Sequence, residues 1–442
     1  MGRTQQIIAG TVGVLVAATS VLRADDAMFR GNLAHTGVYA GPAPQSALLT
    51  KWMFHTKGQV IASPTVANGL VYIGSTDGRF HALDLATGAE RWDFKTGARI
   101  TSTAAVANGT AYFESFDGNF YALDAATGAL RWKFAVLGER RFTAKHLHGV
   151  RPAAESMPDP FDFYLSSPAV WNGAVYFGSG DGNVYALDAK TGAVKWKVQT
   201  GDVVHASPAI ADGMLFIGSW DSWFYALDAV TGALKWRFKT GEDAVIHNQQ
   251  GIQSSAAVAD GMVYFGCRDS NLYALDEKTG TKRWNYNNKG SWVIASPAVR
   301  DGVVYAATSD TGQFYALDGK TGAQLFVLDF RHWPMFSSPA LAGGFAYVGS
   351  HQGKLFAIDL KGRKVAWEFQ TDASKALLPK LTDAKGAPDY ATVEPGNFYD
   401  EMVVAVAKFG ELGQVLSSPV IADGLILFGA TDGNVYALSA TG

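Results

Sequence analysis

Short runs of alternating apolar and polar residues, separated by glycine-containing pairs, recur along most of the chain. One copy reads Ser167-Pro168-Ala169-Val170, Asn172-Gly173, Val175-Tyr176-Phe177-Gly178-Ser179 and Gly180-Asp181-Gly182. It continues Val184-Tyr185-Ala186-Leu187-Asp188, Thr191-Gly192 and Lys195-Trp196-Lys197. The two-residue spacing of Val175 and Phe177 is the period of a pleated strand. The Asn-Gly, Asp-Gly and Thr-Gly pairs supply the positive φ that tight reversals need. Each copy therefore predicts four short antiparallel strands.

The aspartate that ends the Tyr-Ala-Leu-Asp element recurs as Asp84, Asp124, Asp188, Asp228, Asp276, Asp318 and Asp359, with Ser439 in the eighth copy. Successive spacings are 40, 64, 40, 48, 42, 41 and 80. A unit near 40 residues is thus stretched by two long insertions. Four strands per unit of this length are the mark of a propeller blade. The last copy stops before its tryptophan strand. At the other end, Lys51-Trp52-Met53-Phe54-His55-Thr56 matches Arg91-Trp92-Asp93-Phe94-Lys95-Thr96. The expected fold is all-β: an eight-bladed β-propeller of four-stranded antiparallel blades, the last closed by the N-terminal strand. No 3.6-residue periodicity supports a helical repeat, and the Gly-His and Trp-Asp dipeptides of WD repeats do not recur. Trp52, Trp92, Trp132, Trp196, Trp236, Trp284 and Trp367 hold one repeat position, with Phe326 in the remaining blade. Such a set is expected to pack neighbouring blades together.

The formal net charge of −3 and the absence of a polybasic run give no electrostatic case for nucleic acid. Arg3, the apolar run 7–22 and the small residue before Asp25-Asp26 describe a secretory signal, with cleavage near Ala24. The expected organisation is a signal peptide over 1–24 and one propeller over 25–442, with insertions at about 135–165 and 372–416. The mature chain is expected in the periplasm or secreted, with no membrane span. Cys267 is the single cysteine, so no internal disulfide is available. Burial in a strand-end turn is the ordinary fate of such a thiol, although Arg268 stands beside it.

The element Ala186-Leu187-Asp188-x-x-Thr191-Gly192-x-x-x-Trp196 resembles the tryptophan docking motif of pyrroloquinoline-quinone (PQQ) dependent alcohol dehydrogenases. It is also similar to the propeller of the outer-membrane β-barrel assembly scaffold lipoprotein. The opening Met28-Phe29-Arg30-Gly31-Asn32, with His35-Thr36-Gly37, is similar to the start of many PQQ-like repeat proteins. The resemblance covers roughly 28–442. It implies PQQ with calcium or a lanthanide over the propeller axis for an enzyme of this type, and a protein partner for a scaffold. The chain departs from both patterns: the adjacent-cysteine disulfide and the lipidated cysteine have no counterpart here.

Strand order places the strand-four to strand-one connections and the strand-two to strand-three turns on one face. Both insertions open there, and there the copies vary most, as functional loops do. The candidate ligand residues on this face are Arg99, Tyr164, His205, His247, Gln253, Trp292, Arg331 and Trp333. The first insertion adds Arg140-Arg141, His146, His148 and Asp162. The second carries a helix expected over 398–411, with Asn397 as N-cap. Aromatic faces with arginines suit a planar anionic ligand and also a protein partner. The expectation is a ligand- or protein-binding module acting through this face. The alternative is a PQQ-dependent dehydrogenase oxidising an alcohol or sugar.

Overall fold

The computed structural model describes residues 27–41, 44, 49–393 and 396–440. The proposed signal segment lies outside the described residues. Eight four-stranded antiparallel sheets form the blades, each running in sequence order from an inner to an outer strand. The eighth takes its outer strand, Leu49–His55, from the N-terminal side of the chain, and this strand pairs with Asn434–Ser439. Closure of this kind gives the outermost strand of that sheet a covalent tie to the first blade, so the ring is fastened at one seam.

Neighbouring blades join through the tryptophan position. The Trp132 indole donates to the Ala189 carbonyl of the next blade at 3.2 Å, and its ring lies on Gly192. Trp52, Trp92, Trp196, Trp236 and Trp284 repeat this bond to Leu85, Ala125, Ala229, Glu277 and Gly319. Glycine is required there for two reasons: φ is +74° at Gly192, and a Cβ would lie 2.6 Å from the Trp132 ring.

A second connection encircles the axis. Just before each inner strand, the backbone N–H of one blade donates to the hydroxyl of the next. The circuit runs Ser63 to Thr103, Thr103 to Ser167, Ser167 to Ser207 and Ser207 to Ser255. It continues Ser255 to Ser296, Ser296 to Ser338, Ser338 to Ser418, and Ser418 back to Ser63. Every member is buried. Threonine or serine is needed because a buried N–H without an acceptor is costly.

Residues 27–39 form a plug on the other side of this ring from the variable loops. Their backbone bonds Val106, Ile210, Val258, Val299 and Leu341, the central residues of five inner strands. Inner-strand N–H groups that no neighbouring strand can reach are thereby satisfied.

The second insertion folds into α1 (Asp372–Leu377), α2 (Tyr390–Val393) and α3 (Tyr399–Gly410). The helix expected over 398–411 is therefore present, but its N-cap is Phe398 and not Asn397. Glu401 reaches back to accept the Phe398 N–H, while the Asn397 amide is drawn away to the Gly149 carbonyl. Among the described residues no helix is long and apolar enough to cross a membrane.

Candidate functional site

The two insertions meet over the variable face and are stitched together. Arg151 and the segment before α3 exchange backbone bonds, Arg151 N to Asn397 O and Tyr399 N to Arg151 O. The Tyr399 hydroxyl donates to Pro158 O at 2.7 Å, and the Arg151 guanidinium lies 4.4 Å from the Phe398 ring centre. The first insertion is anchored on the connection between the fourth and fifth blades, where the His148 N–H donates to Ile246 O. Beneath this joined roof lies a cavity of about 770 Å³. Its helical side is made by Met402, Ala405, Val406 and Phe409, spaced at one face of α3. Phe161, Phe163, Phe336 and Trp292 supply aromatic wall opposite.

Two cations enter this wall. Arg99 and Arg141 both line the cavity, and among the described residues neither forms an ion pair. Burial, then the like charge of Arg141, lowers the Arg99 guanidinium to about 10, so it stays charged at neutral pH. The Arg99 fork stacks 3.9 Å from the Phe116 ring centre, which fixes its plane.

The acids nearby are already engaged. His205 is buried between Asp162, 2.6 Å from Nδ1, and Glu139, 2.9 Å from Nε2. Burial opposes the charged imidazole, but Asp162 and then Glu139 outweigh it and raise His205 to about 10. Glu114, fully buried, is held well above the carboxyl range by burial and by the charges of Glu139 and Asp181. It is neutral. A second network holds Asp159 between Arg268 at 2.8 Å and His148 at 3.1 Å. Burial would raise this carboxyl, but Arg268 and His148 prevail and hold it well below the usual range. His148 Nδ1 meets Asn248 Oδ1 at 2.9 Å. The Arg268 guanidinium lies 3.8 Å from the Trp292 ring centre and 4.8 Å from that of Trp220, so the ion pair sets the plane of the cavity tryptophan.

These networks bear on a metal. Among the described residues no three His, Cys, Asp or Glu side chains converge to hold one. Asp159, Asp162 and Glu139 each have a cationic partner. Among the described residues, Asp310 reaches the cavity with only a serine hydroxyl on its carboxylate. A calcium or lanthanide ion needs six or more oxygen ligands, several of them carboxylate. The donor set does not fit it. The planar tricarboxylate part of the same cofactor does fit, since Arg99 and Arg141 could hold carboxylates beside an aromatic wall.

Of the residues singled out from sequence, Arg99, Trp292 and Trp333 line the large cavity. Tyr164, His205 and Gln253 line a smaller space deeper on the axis, of about 50 Å³. His247 lies outside both, bonded to Gln250 and edge-on to Phe142. Arg331 is exposed, with its guanidinium against Gly386 of the second insertion. Trp220, which reads as a chance Trp-Asp pair, is fully buried and stacks on Phe142 with ring centres 4.6 Å apart. Sequence reasoning missed Glu139, Asp159 and Phe161, whereas His351, in a strand-two to strand-three turn of the variable face, does line the cavity. An acid in an insertion that otherwise carries histidines and arginines was the available signal for Asp159. Cys267 is fully buried, burial pushes its thiol well up, and Arg268 turns to Asp159 instead of the sulfur.

A family model described as outer membrane protein assembly factor BamB, of the PQQ_2 type, matches residues 49–159, 164–290 and 247–442. The chain belongs to this family. The PQQ_2 fold recurs in solved structures at low identity. BamB from Moraxella catarrhalis is 17% identical with a TM-score of 0.63, covering 89% of this chain and 98% of that one. A europium-containing methanol dehydrogenase gives 15% and 0.66, covering 92% and 96%. The quinohemoprotein alcohol dehydrogenase of Comamonas testosteroni gives 15% and 0.67, covering 93% and 80%. At these identities the likeness is one of fold. The dehydrogenase subunits of quinone alcohol dehydrogenases from Gluconacetobacter polyoxogenes and Komagataeibacter europaeus are 62% identical over 32 residues. That match spans 7% of this chain and 4% of theirs.

Proposed function

We propose that this PQQ_2 propeller is an exported binding module that takes a flat anionic small molecule into the roofed cavity of its loop face. The observation that carries the reading is the pairing of a cavity of about 770 Å³ with two guanidiniums that, among the described residues, form no direct ion pair. Its size is that of a small-molecule pocket, and mostly apolar walls with a few polar groups are typical of one. The joined insertions cover the propeller mouth, which favours a small ligand over a protein surface laid flat on the face. Arg99 and Arg141 would bind carboxylates through charge-assisted bonds.

PQQ is the natural first probe. Titration of the purified chain, followed by quinone absorbance and fluorescence, is expected to show saturable binding without added metal. Losing one charge-assisted bond of ~1.5–3 kcal/mol should weaken binding roughly 10- to 100-fold in Arg99→Ala. Binding untouched by both Arg99→Ala and Arg141→Ala, or no saturable binding of PQQ or simpler flat polycarboxylates, overturns the reading. The second reading, oxidation of an alcohol or sugar by bound PQQ, draws on the match to the quinone alcohol dehydrogenase subunits. It requires metal-dependent binding and reduction of an artificial electron acceptor when alcohol or sugar is added.

A further inference from the structure

The roofed cavity carries unlike charges on opposite sides of the propeller axis. Among the described residues that line it, Arg99, Arg141 and Asp310 are the only Asp, Glu, Lys or Arg. Arg99 stands just before the inner strand of the second blade, Ala105–Ala107, and the first insertion brings Arg141 close enough for its charge to act on Arg99. Asp310 lies in the turn between the second and third strands of the sixth blade, Val303–Ala307 and Gln313–Asp318. The blades follow one another around the axis in chain order, as the circuit of hydroxyls shows. The second and sixth of eight blades face each other across the axis.

Among the described residues the Asp310 carboxylate forms no ion pair, and it accepts only the Ser309 hydroxyl, 3.0 Å from Oδ2. His332 turns its Nδ1 to the Asp310 backbone carbonyl, 3.0 Å away, and not to the carboxylate. The Arg331 guanidinium rests against Gly386. His351 of the seventh blade lines the cavity and is neutral, because burial lowers it to about 3. The turn that carries Asp310 is fixed between two tryptophans. The Ser309 N–H donates to Trp292 O at 3.0 Å, and Gly312 packs so closely that a Cβ there would lie 2.6 Å from the Trp333 nitrogen. Aromatic rings continue from there into the roof: Trp333 meets Phe409 with ring centres 6.1 Å apart, and Phe409 meets Tyr390 at 5.3 Å. Tyr390 lines the cavity and is exposed. A carboxylate with an aromatic ring nearby is the setting that an ammonium group binds.

We propose that the ligand of this cavity is a flat aromatic zwitterion, its carboxylate end held by Arg99 and Arg141 and a protonated amine at the opposite end held by Asp310. The proposal rests on the reading of the cavity as a site for flat carboxylates, and it names the chemistry of the far end. It also says what the site rejects. A ligand with carboxylates at both ends sets one of them against Asp310, and such repulsion is a means of specificity.

The test titrates the purified full chain calorimetrically at neutral pH, where an alkyl amine is protonated. The probes are rigid linear aryl carboxylates of three lengths, a benzoate, a naphthoate and a biphenyl carboxylate. Each is used as a matched pair, with an aminomethyl or a hydroxymethyl group at the end away from the carboxylate. At the length that spans the axis, the aminomethyl member should bind roughly 3- to 10-fold tighter than its hydroxymethyl partner. Asp310→Asn keeps an acceptor for the Ser309 hydroxyl in an exposed turn, so it should fold, and it should bring the pair to equal affinity. Asp310→Lys should shift the preference to the dicarboxylate of the same length. Equal affinity within every pair in the parent, or an advantage that survives Asp310→Asn, overturns the zwitterion and leaves the carboxylate site standing. Binding of no probe at any length, or binding untouched by both Arg99→Ala and Arg141→Ala, overturns the carboxylate site and the zwitterion with it.

Discussion

Replacing His205 by leucine should loosen the floor of the cavity in a way that depends on pH. The imidazole sits between two buried carboxylates, Asp162 and Glu139, and is 3% exposed. Removing one partner of a buried ion pair costs about 3–5 kcal/mol, because the other charge is left unbalanced. Unfolding entropy of about 2.1 cal/mol/K per residue over 442 residues is about 0.9 kcal/mol/K. The expected fall in melting temperature near neutral pH is therefore about 3–6 °C. The sign with pH follows from His205 rising from 6.5 to about 10 on folding. Its contribution is complete below 6.5 and is lost as pH rises through about 10. The gap between parent and variant should narrow steadily over that window in calorimetric scans. Asp162 also accepts the Phe142 N–H at 2.6 Å, so the Phe142 amide should exchange faster in the variant. A gap below about 1 °C near neutral pH, or one that does not change up to about pH 10, refutes the ion-pair account.

Two further expectations concern the scaffold. Gly192 and Gly173 belong to one blade and share φ near +70°, but only Gly192 faces a tryptophan, whereas nothing lies within 4 Å of a Cβ at Gly173. Gly173→Ala should cost about 1 kcal/mol for the left-handed backbone alone, and Gly192→Ala about 2–4 kcal/mol; equal losses in denaturant melts would show that the Trp132 contact is slack. Cys267, buried and with its thiol pushed up by that burial, should resist an aromatic disulfide reagent until the protein unfolds. Labelling of the native chain within minutes would contradict its placement.

Blade number, strand boundaries, turn glycines and the seam between Leu49–His55 and the last sheet were legible along the chain. These features rest on a period-two pattern and on reversals a few residues long, so short windows of sequence carry them. The face on which both insertions and the cavity lie was legible too, since uniform turns and variable connections separate by strand order. Arg99, Trp292 and Trp333 follow from that choice. Tertiary structure alone decided which partner each charged group received. Asp159 meets Arg268 across 109 residues, His205 meets Glu139 across 66, and Arg151 meets Phe398 through the joining of two insertions. No local pattern encodes such pairs, because burial and ring closure bring them together. The plug shows the same limit. Met28-Phe29-Arg30-Gly31-Asn32 is recognisable as a motif, yet the work of the segment it opens is to bond inner strands that lie as far along as Leu341, and to bring Arg30 to the Pro297 carbonyl. A ring of blades gives its central strands no neighbour on the inside. Only the closed ring reveals that a distant segment must fill that place.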